Sequence, residues 1–169
     1  HLGQLVGCVK RAHDIDANLS AHVMHENLVS KASSVLALLN VIHVTGIDRN
    51  QVEYVIDCAE EACGDINQRG GGNFAKSAAE IAGLNNASGS DCRAFCAAPA
   101  HAMIEAAALV ASGAYHTVVV TAGGCTAKLG MNGKDHVKKG LPALEDMIGG
   151  FAVVVTQDLS LIHISEPTR

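Results

Sequence analysis

Bulky aromatic side chains are scarce in this sequence, and tryptophan is absent. The 169 residues include 3 Phe, 2 Tyr and 3 Pro, whereas 49% are hydrophobic and 17 are Gly. A core without large aromatics has to be closed by small aliphatic residues, so this composition favours tight packing in an α/β domain. The net charge of −5 and the lack of a long basic run argue against a nucleic-acid partner.

Signals for export and for membrane insertion are also missing from the sequence. No signal peptide is present, and the apolar runs fall short of the roughly 20 residues that span a bilayer. We therefore expect a cytoplasmic protein without a membrane partner, whose cysteines are reduced thiols. The cysteines are Cys8, Cys58, Cys63, Cys92, Cys96 and Cys125.

The two ends of the chain look unnatural. The sequence begins at His1 without an initiator Met, and residues 159–169 read LSLIHISEPTR. This last stretch resembles the translated sequence of a sequencing adapter. We therefore expect it to be an artefact that is not part of the natural fold. We expect residues 1–158 to form one partial domain of a natural protein that continues further.

Hydrophobic periodicity predicts alternating helices and strands. Helical spacing covers residues 26–42 and 74–83, and strands are predicted at residues 2–9, 52–58, 116–122 and 151–155. This alternation favours a layered α/β domain.

The stretch from Gly89 to Gly124 predicts a nucleophile at the start of a helix. A polar loop leads to a helix from Ala97 to Ser112 that is apolar nearly all round, so we expect the helix and its cysteine to be buried. Pro99 fits the first turn and Gly113 ends the helix. Cys96 then lies where the helix dipole favours a thiolate. The alternative interpretation is a small buried hydrophobic residue.

Two other stretches are candidate binding sites by composition but lack the spacing of a known site. The first is rich in His and carboxylates, yet its His pair does not have the i, i+4 spacing of a zinc-protease helix. Its residues are His13, Asp14, Asp16, His22, His25 and Glu26. The second, Gly70 to Gly72, matches neither the Walker motif nor the GxGxxG pattern of phosphate-binding loops. We predict a polar loop and a tight turn, and no metal site.

Several strings carry a resemblance to known families. FCAAPAHA from Phe95, followed by a Val strand and GGFAVVV, is similar to the N-terminal half of the thiolase superfamily, in particular to β-ketoacyl carrier-protein synthase III. Longer strings resemble the β subunits of component C of glycine/sarcosine/betaine reductase complexes: LVGCVKRA, NLSAHVMHENL, EACGDINQRGGGNFAK and AKLGMNGKDHVKKG. The resemblance covers about Leu2 to Asp158.

The resemblance implies a fold and a site residue. The fold is α/β, a thiolase-like layered fold of which this chain holds the N-terminal half only, and Cys96 occupies the catalytic nucleophile position. The residue that activates the thiol comes from the C-terminal half in thiolase-like enzymes. His101 is no substitute, because five helical positions place it roughly 140° round from Cys96. A pairing of His101 with Glu105 is the simpler prediction.

The resemblance also implies a reaction and partners. Component C handles an acetyl thioester on the way from carboxymethyl-selenoprotein A to acetyl phosphate. The expected partners are the component C α subunit and selenoprotein A in a hetero-oligomer. We expect no cofactor in this chain, phosphate as a substrate of the complex, and selenocysteine in selenoprotein A. Alternatives are a non-catalytic scaffold subunit and a free-standing ketoacyl synthase or thiolase, and we expect the fragment alone to be inactive.

Overall fold

A computed structural model describes residues 21–59, 73–125, 138–140 and 148–157 of the chain. The predicted strand at residues 2–9, the glycines at 70–72 and the tail at 159–169 lie outside the described residues. So do His13, Asp14 and Asp16, and the side chains of His22, His25 and Glu26. Three helices and four strands form the described part: α1 Ala21–Thr45, β1 Tyr54–Asp57, α2 Phe74–Ile81, β2 Ser88–Asp91, α3 Ala98–Ala111, β3 Thr117–Cys125 and β4 Ile148–Thr156.

The four strands form one mixed sheet in the order β2-β1-β3-β4. β1 is parallel to β2 and β3, whereas β4 is antiparallel to β3. In this register Asp57 stands opposite both Asp91 and Thr121. The carboxyl ends of β1 and β2 therefore meet at one edge of the sheet, and the chain that follows each strand is brought together there.

Helices cover both faces of the sheet, which confirms the predicted layered α/β arrangement. α1 and α2 pack on the face that carries Val55 and Val119, and α3 packs on the face that carries Ile56, Val118 and Val120. The run of three valines in β3 follows from this arrangement, because a strand buried on both faces needs apolar side chains at every position.

α1 is longer than predicted and lies very close to the sheet. It contains an apolar window, Leu28–Thr45, with a mean hydropathy of 1.5. By length and composition alone this window could cross a membrane, but the core helices of soluble proteins meet the same criterion. The expectation that no run reaches this length is therefore wrong. Buried serines on α1 face the strands, and Ser30 Oγ donates to the Gly123 carbonyl at 2.8 Å.

Two predictions for the stretch after Gly89 are wrong. Ser88–Asp91 is a strand and not part of a polar loop, because β1 offers it a parallel partner. α3 is buried along one face only, whereas Ile104 is 68% exposed. Within the described residues only the sheet packs against this helix, so the apolar outer face of the helix is exposed.

Gly123 and Gly124 offer a matched test of the α1 contact. A methyl group on Gly123 would collide with the backbone of Ser30 and Ser34, whereas one on Gly124 meets nothing within 4 Å. We expect Gly123→Ala to lower the free energy of unfolding by about 1–3 kcal/mol, as overpacking does. Gly124→Ala should change it by less than about 1 kcal/mol. Urea denaturation of both variants measures this, and equal effects would contradict the close contact.

Glu53 predicts a pH dependence of stability. Its carboxylate accepts the backbone N–H groups of His116 and of Thr117, the latter at 3.2 Å. These hydrogen bonds lower the pKa of Glu53, with a smaller opposing effect of burial. Because the folded pKa lies below the ordinary value of about 4.3, the contribution is complete above that pH and is lost as pH falls through the folded pKa.

The variant Glu53→Gln should therefore be less stable than the wild type at pH 6, and the difference should shrink below about pH 4. Denaturant unfolding at several pH values measures it. Glu80→Gln is the control, because Glu80 is an exposed carboxylate that pairs with Lys76 within α2 at 3.6 Å. A Glu53→Gln difference that stays constant from pH 6 to pH 3 would contradict the prediction.

Candidate active site

The carboxyl ends of β1 and β2 bring together two carboxylates, an arginine and two thiols. Asp57 and Asp91 end the two strands as register partners. Cys58 and Cys92 come next, and the Cys92 N–H donates to the Asp57 carbonyl at 2.8 Å, so the ladder continues one residue further. Arg93 follows, and the turn with Cys96 begins two residues later.

Arg93 joins the two strand ends through its guanidinium. Nη1 donates to Asp57 Oδ1 at 2.9 Å, to the Asp57 carbonyl at 3.2 Å and to the Ala59 carbonyl at 2.7 Å. Nη2 lies 3.0 Å from Asp91 Oδ2. One side chain thus contacts both carboxylates and the chain that leaves β1.

Asp57 is a buried carboxylate, 1% exposed, whose oxygens are both hydrogen-bonded. Its Oδ2 accepts from Ser34 Oγ of α1 at 3.1 Å, and its Oδ1 accepts the Ala59 N–H at 3.0 Å as well as Arg93. A buried charge is tolerated only when it is paired in this way. The site is therefore fixed to α1 as well as to the sheet.

Asp91 completes the N-terminus of α2 from a neighbouring strand. Its two oxygens accept the N–H groups of Phe74 at 3.0 Å and Ala75 at 2.9 Å, while the Asn73 side chain caps Lys76 N–H at 2.7 Å. A carboxylate at a helix N-terminus satisfies unpaired amides and interacts favourably with the helix dipole. Asp91 thereby anchors one end of the Arg93 contact to α2.

Cys96 lies in a short 3-10 turn, Phe95–Ala97, directly before α3. Phe95 has a φ of 49°, a left-handed conformation that is uncommon for a bulky residue. The Cys96 thiol is exposed, so the prediction that it is buried is wrong, whereas its predicted place at the helix start is confirmed. The turn stands clear of the contact between α3 and the sheet, which is why the thiol reaches the surface. Its role as a nucleophile stays a prediction.

The two neighbouring thiols have different surroundings. Cys58 is 3% exposed, and burial, together with the nearby Asp57, raises its pKa to about 11. Burial, followed by the charge of Glu105, raises the pKa of Cys92. Arg93 opposes both increases. Since the thiolate is the reactive form of cysteine, both side chains are poor nucleophiles at neutral pH.

The remaining predicted side chains contribute little here. His101 is exposed, and Glu105 accepts a hydrogen bond from Ser90 Oγ at 3.4 Å, so the predicted pairing of the two is not what the structure shows. In the described part of the chain, no group of three or more His, Cys, Asp or Glu could hold a metal ion. A cavity of about 360 Å³ lies at the opposite edge of the sheet, beside Glu53 and His116, away from Cys96.

Sequence reasoning missed Asp57, Asp91 and Arg93. A signal was available, because each of two adjacent strands, YVID and SGSD, ends in an aspartate. A carboxylate that closes an otherwise buried strand needs a cation close by. Arg93 is the cation that follows the second strand immediately.

The fold is similar to that of solved thiolase-like structures. No family model matches it. A crystal structure of OleA from Xanthomonas campestris with cerulenin has a TM-score of 0.56 at 16% identity, covering 74% of this chain and 39% of OleA. A second cerulenin-bound OleA structure has a TM-score of 0.50 at 17% identity, covering 59% and 28%. The predicted thiolase-like α/β fold is thereby confirmed.

One curated relative is much more similar. Over 156 residues the chain is 64% identical to the β subunit of component C of the glycine/sarcosine/betaine reductase complex from Peptoclostridium acidaminophilum. The match covers 92% of this chain and 30% of the relative. The resemblance identified from the sequence is confirmed, and the chain spans less than a third of that relative's length.

Alkylation separates the exposed thiol from the buried one. At pH 7 we expect iodoacetamide to modify Cys96 at least about a hundredfold faster than Cys58, because Cys58 is covered and its pKa is near 11. Peptide mass spectrometry over time gives both rates. Denaturation should bring the rates within a few-fold of each other. Comparable rates in the folded protein would contradict the described burial.

Proposed function

We propose that this chain belongs to an acyl-handling enzyme subunit in which Cys96 is the nucleophile. The observation that carries the proposal is the exposed thiol of Cys96 on a left-handed turn at the start of α3. Cys58 and Cys92, the other described thiols, have raised pKa values. The position matches the nucleophile position that the thiolase-like resemblance implies.

The proposed chemistry passes an acyl group through a thioester. The Cys96 thiolate attacks an acyl carbonyl, the leaving group departs, and the thioester keeps the acyl group activated. Phosphate then attacks the thioester, so that acetyl phosphate forms and the thiolate returns. This requires no cofactor in the chain itself, with phosphate as a substrate of the complex.

We propose that the setting is component C of a glycine, sarcosine or betaine reductase complex in the cytoplasm. The identity to a component C β subunit supports this assignment. The acetyl group would originate from the carboxymethyl group on the selenocysteine of selenoprotein A, by reductive cleavage of the carbon–selenium bond. A thiol would supply the two electrons and end in a selenium–sulfur bond, the methylene carbon would gain a proton, and the carboxyl oxygen would leave as water when the thioester forms. The expected partners in the hetero-oligomer are selenoprotein A and the component C α subunit.

A scaffold is the second candidate function. Phe95 is 71% exposed and Ile104 68% exposed, and both lie on or beside α3. Exposed apolar side chains on and beside α3 suit an interface as well as a substrate path. In this alternative the α subunit carries the acyl group, and Cys96 is a retained feature of the fold.

Substitution of Cys96 in the whole protein distinguishes the two functions. We expect Cys96→Ser to reduce acetyl phosphate formation by the assembled complex by about a thousandfold, because a hydroxyl is a much weaker nucleophile than a thiolate. Cys92→Ser is the matched control and should retain activity within a few-fold. If the Cys96→Ser complex forms acetyl phosphate at the normal rate, the scaffold is the correct function.

A further inference from the structure

We propose that Arg93 is a positioning residue that holds the turn with Cys96 in its reactive orientation. The inference rests on the proposed function, since it concerns how the nucleophile is presented. Nothing in the resemblance assigns a role to this arginine, and it does not need to touch the substrate to act.

Arg93 makes several contacts, and they come from different directions. Its guanidinium reaches the Asp57 and Asp91 carboxylates and two backbone carbonyls, at 2.7–3.2 Å. The acceptors belong to two different strand ends. The position of the Arg93 side chain is thus fixed from two directions.

The two aspartates that bind Arg93 are themselves held in place by other elements. Asp57 is 1% exposed and hydrogen-bonded to Ser34 of α1, while Asp91 is held by two backbone amides of α2. The Arg93 side chain is 27% exposed and lies where this buried network meets the surface. It is therefore the last fixed group before the exposed turn.

The backbone between Arg93 and Cys96 has an unusual conformation. Ala94 has φ −147° and ψ 33°, and Phe95 has a φ of 49°. The left-handed conformation of Phe95 is uncommon for a bulky residue, and such backbone persists only where the surroundings determine it. Ala94 packs against the core between α3 and the sheet, and Arg93 holds the chain on the side of the turn that leaves β2. Loss of the Arg93 contacts would free this side of the turn, so that the turn relaxes and Cys96 moves.

A lysine cannot make the same set of contacts. The planar guanidinium presents several donors in a fixed fork, whereas an ammonium is a single point charge on a flexible stem. Arg93→Lys should therefore keep one carboxylate contact and lose the other. Arg93→Gln removes the charge altogether and provides a second, independent variant.

The test compares Arg93→Lys and Arg93→Gln with wild type in the whole protein, assayed within the complex. We expect kcat for acetyl phosphate formation to fall about tenfold in Arg93→Lys and about a hundredfold in Arg93→Gln, because small misplacements of a nucleophile are costly. KM should stay within about twofold. Lys76→Gln, which removes a surface cation that pairs with Glu80, is the control and should leave kcat unchanged.

The rate of Cys58 alkylation and the midpoint temperature of thermal unfolding show whether the same variants keep the native fold. A lower kcat with Cys58 still protected and the midpoint within a few degrees supports the positioning role. An unchanged kcat overturns it, and so does a lower kcat that accompanies rapid Cys58 alkylation, because the arginine is then merely structural. Cys96→Ser is assayed alongside: normal turnover in that variant removes the proposed function itself, whatever Arg93 does.

Discussion

The rest of the described structure depends on how one buried carboxylate is paired with hydrogen-bonding and charged partners. Asp57 lies at the end of a central strand, where an unpaired carboxylate would be strongly destabilising. Its partners come from chain segments that are far apart in sequence: Ser34 in α1, the backbone after β1, and Arg93 after β2. The requirement to keep this carboxylate paired therefore also fixes where the turn with Cys96 leaves the sheet.

Much of the fold could be predicted from the sequence because its strongest signals are local. The apolar spacing of α1 and the valine run of β3 identify those elements, and Gly83 and Gly113, both with positive φ, end α2 and α3 as expected. β2 could not be found this way, because SGSD has no strand propensity of its own. It is a strand because β1 supplies the hydrogen-bonding partner, and that is a property of the tertiary structure.

For the candidate site, too, the local features could be predicted from the sequence and the tertiary ones could not. The place of Cys96 at the helix start follows from Pro99 and the alanine-rich run, which are local features. The exposure of the thiol does not follow, because burial depends on which layers cover α3, and helix composition says nothing about that. The contact of Arg93 with both aspartates depends on the register that sets Asp57 beside Asp91, which no spacing within one segment reveals.

The contact between α1 and Gly123 limits which substitutions the protein can accept during evolution. A side chain at Gly123 would meet backbone atoms of Ser30 and Ser34, so trimming the neighbouring side chains cannot make room for it. The backbone of the helix or of the strand would have to move, and a shift of α1 would carry the Ser34 hydroxyl away from Asp57. A smaller side chain on α1 therefore cannot compensate for a substitution at Gly123, and changes in the strand, the helix and the surroundings of the buried carboxylate are coupled.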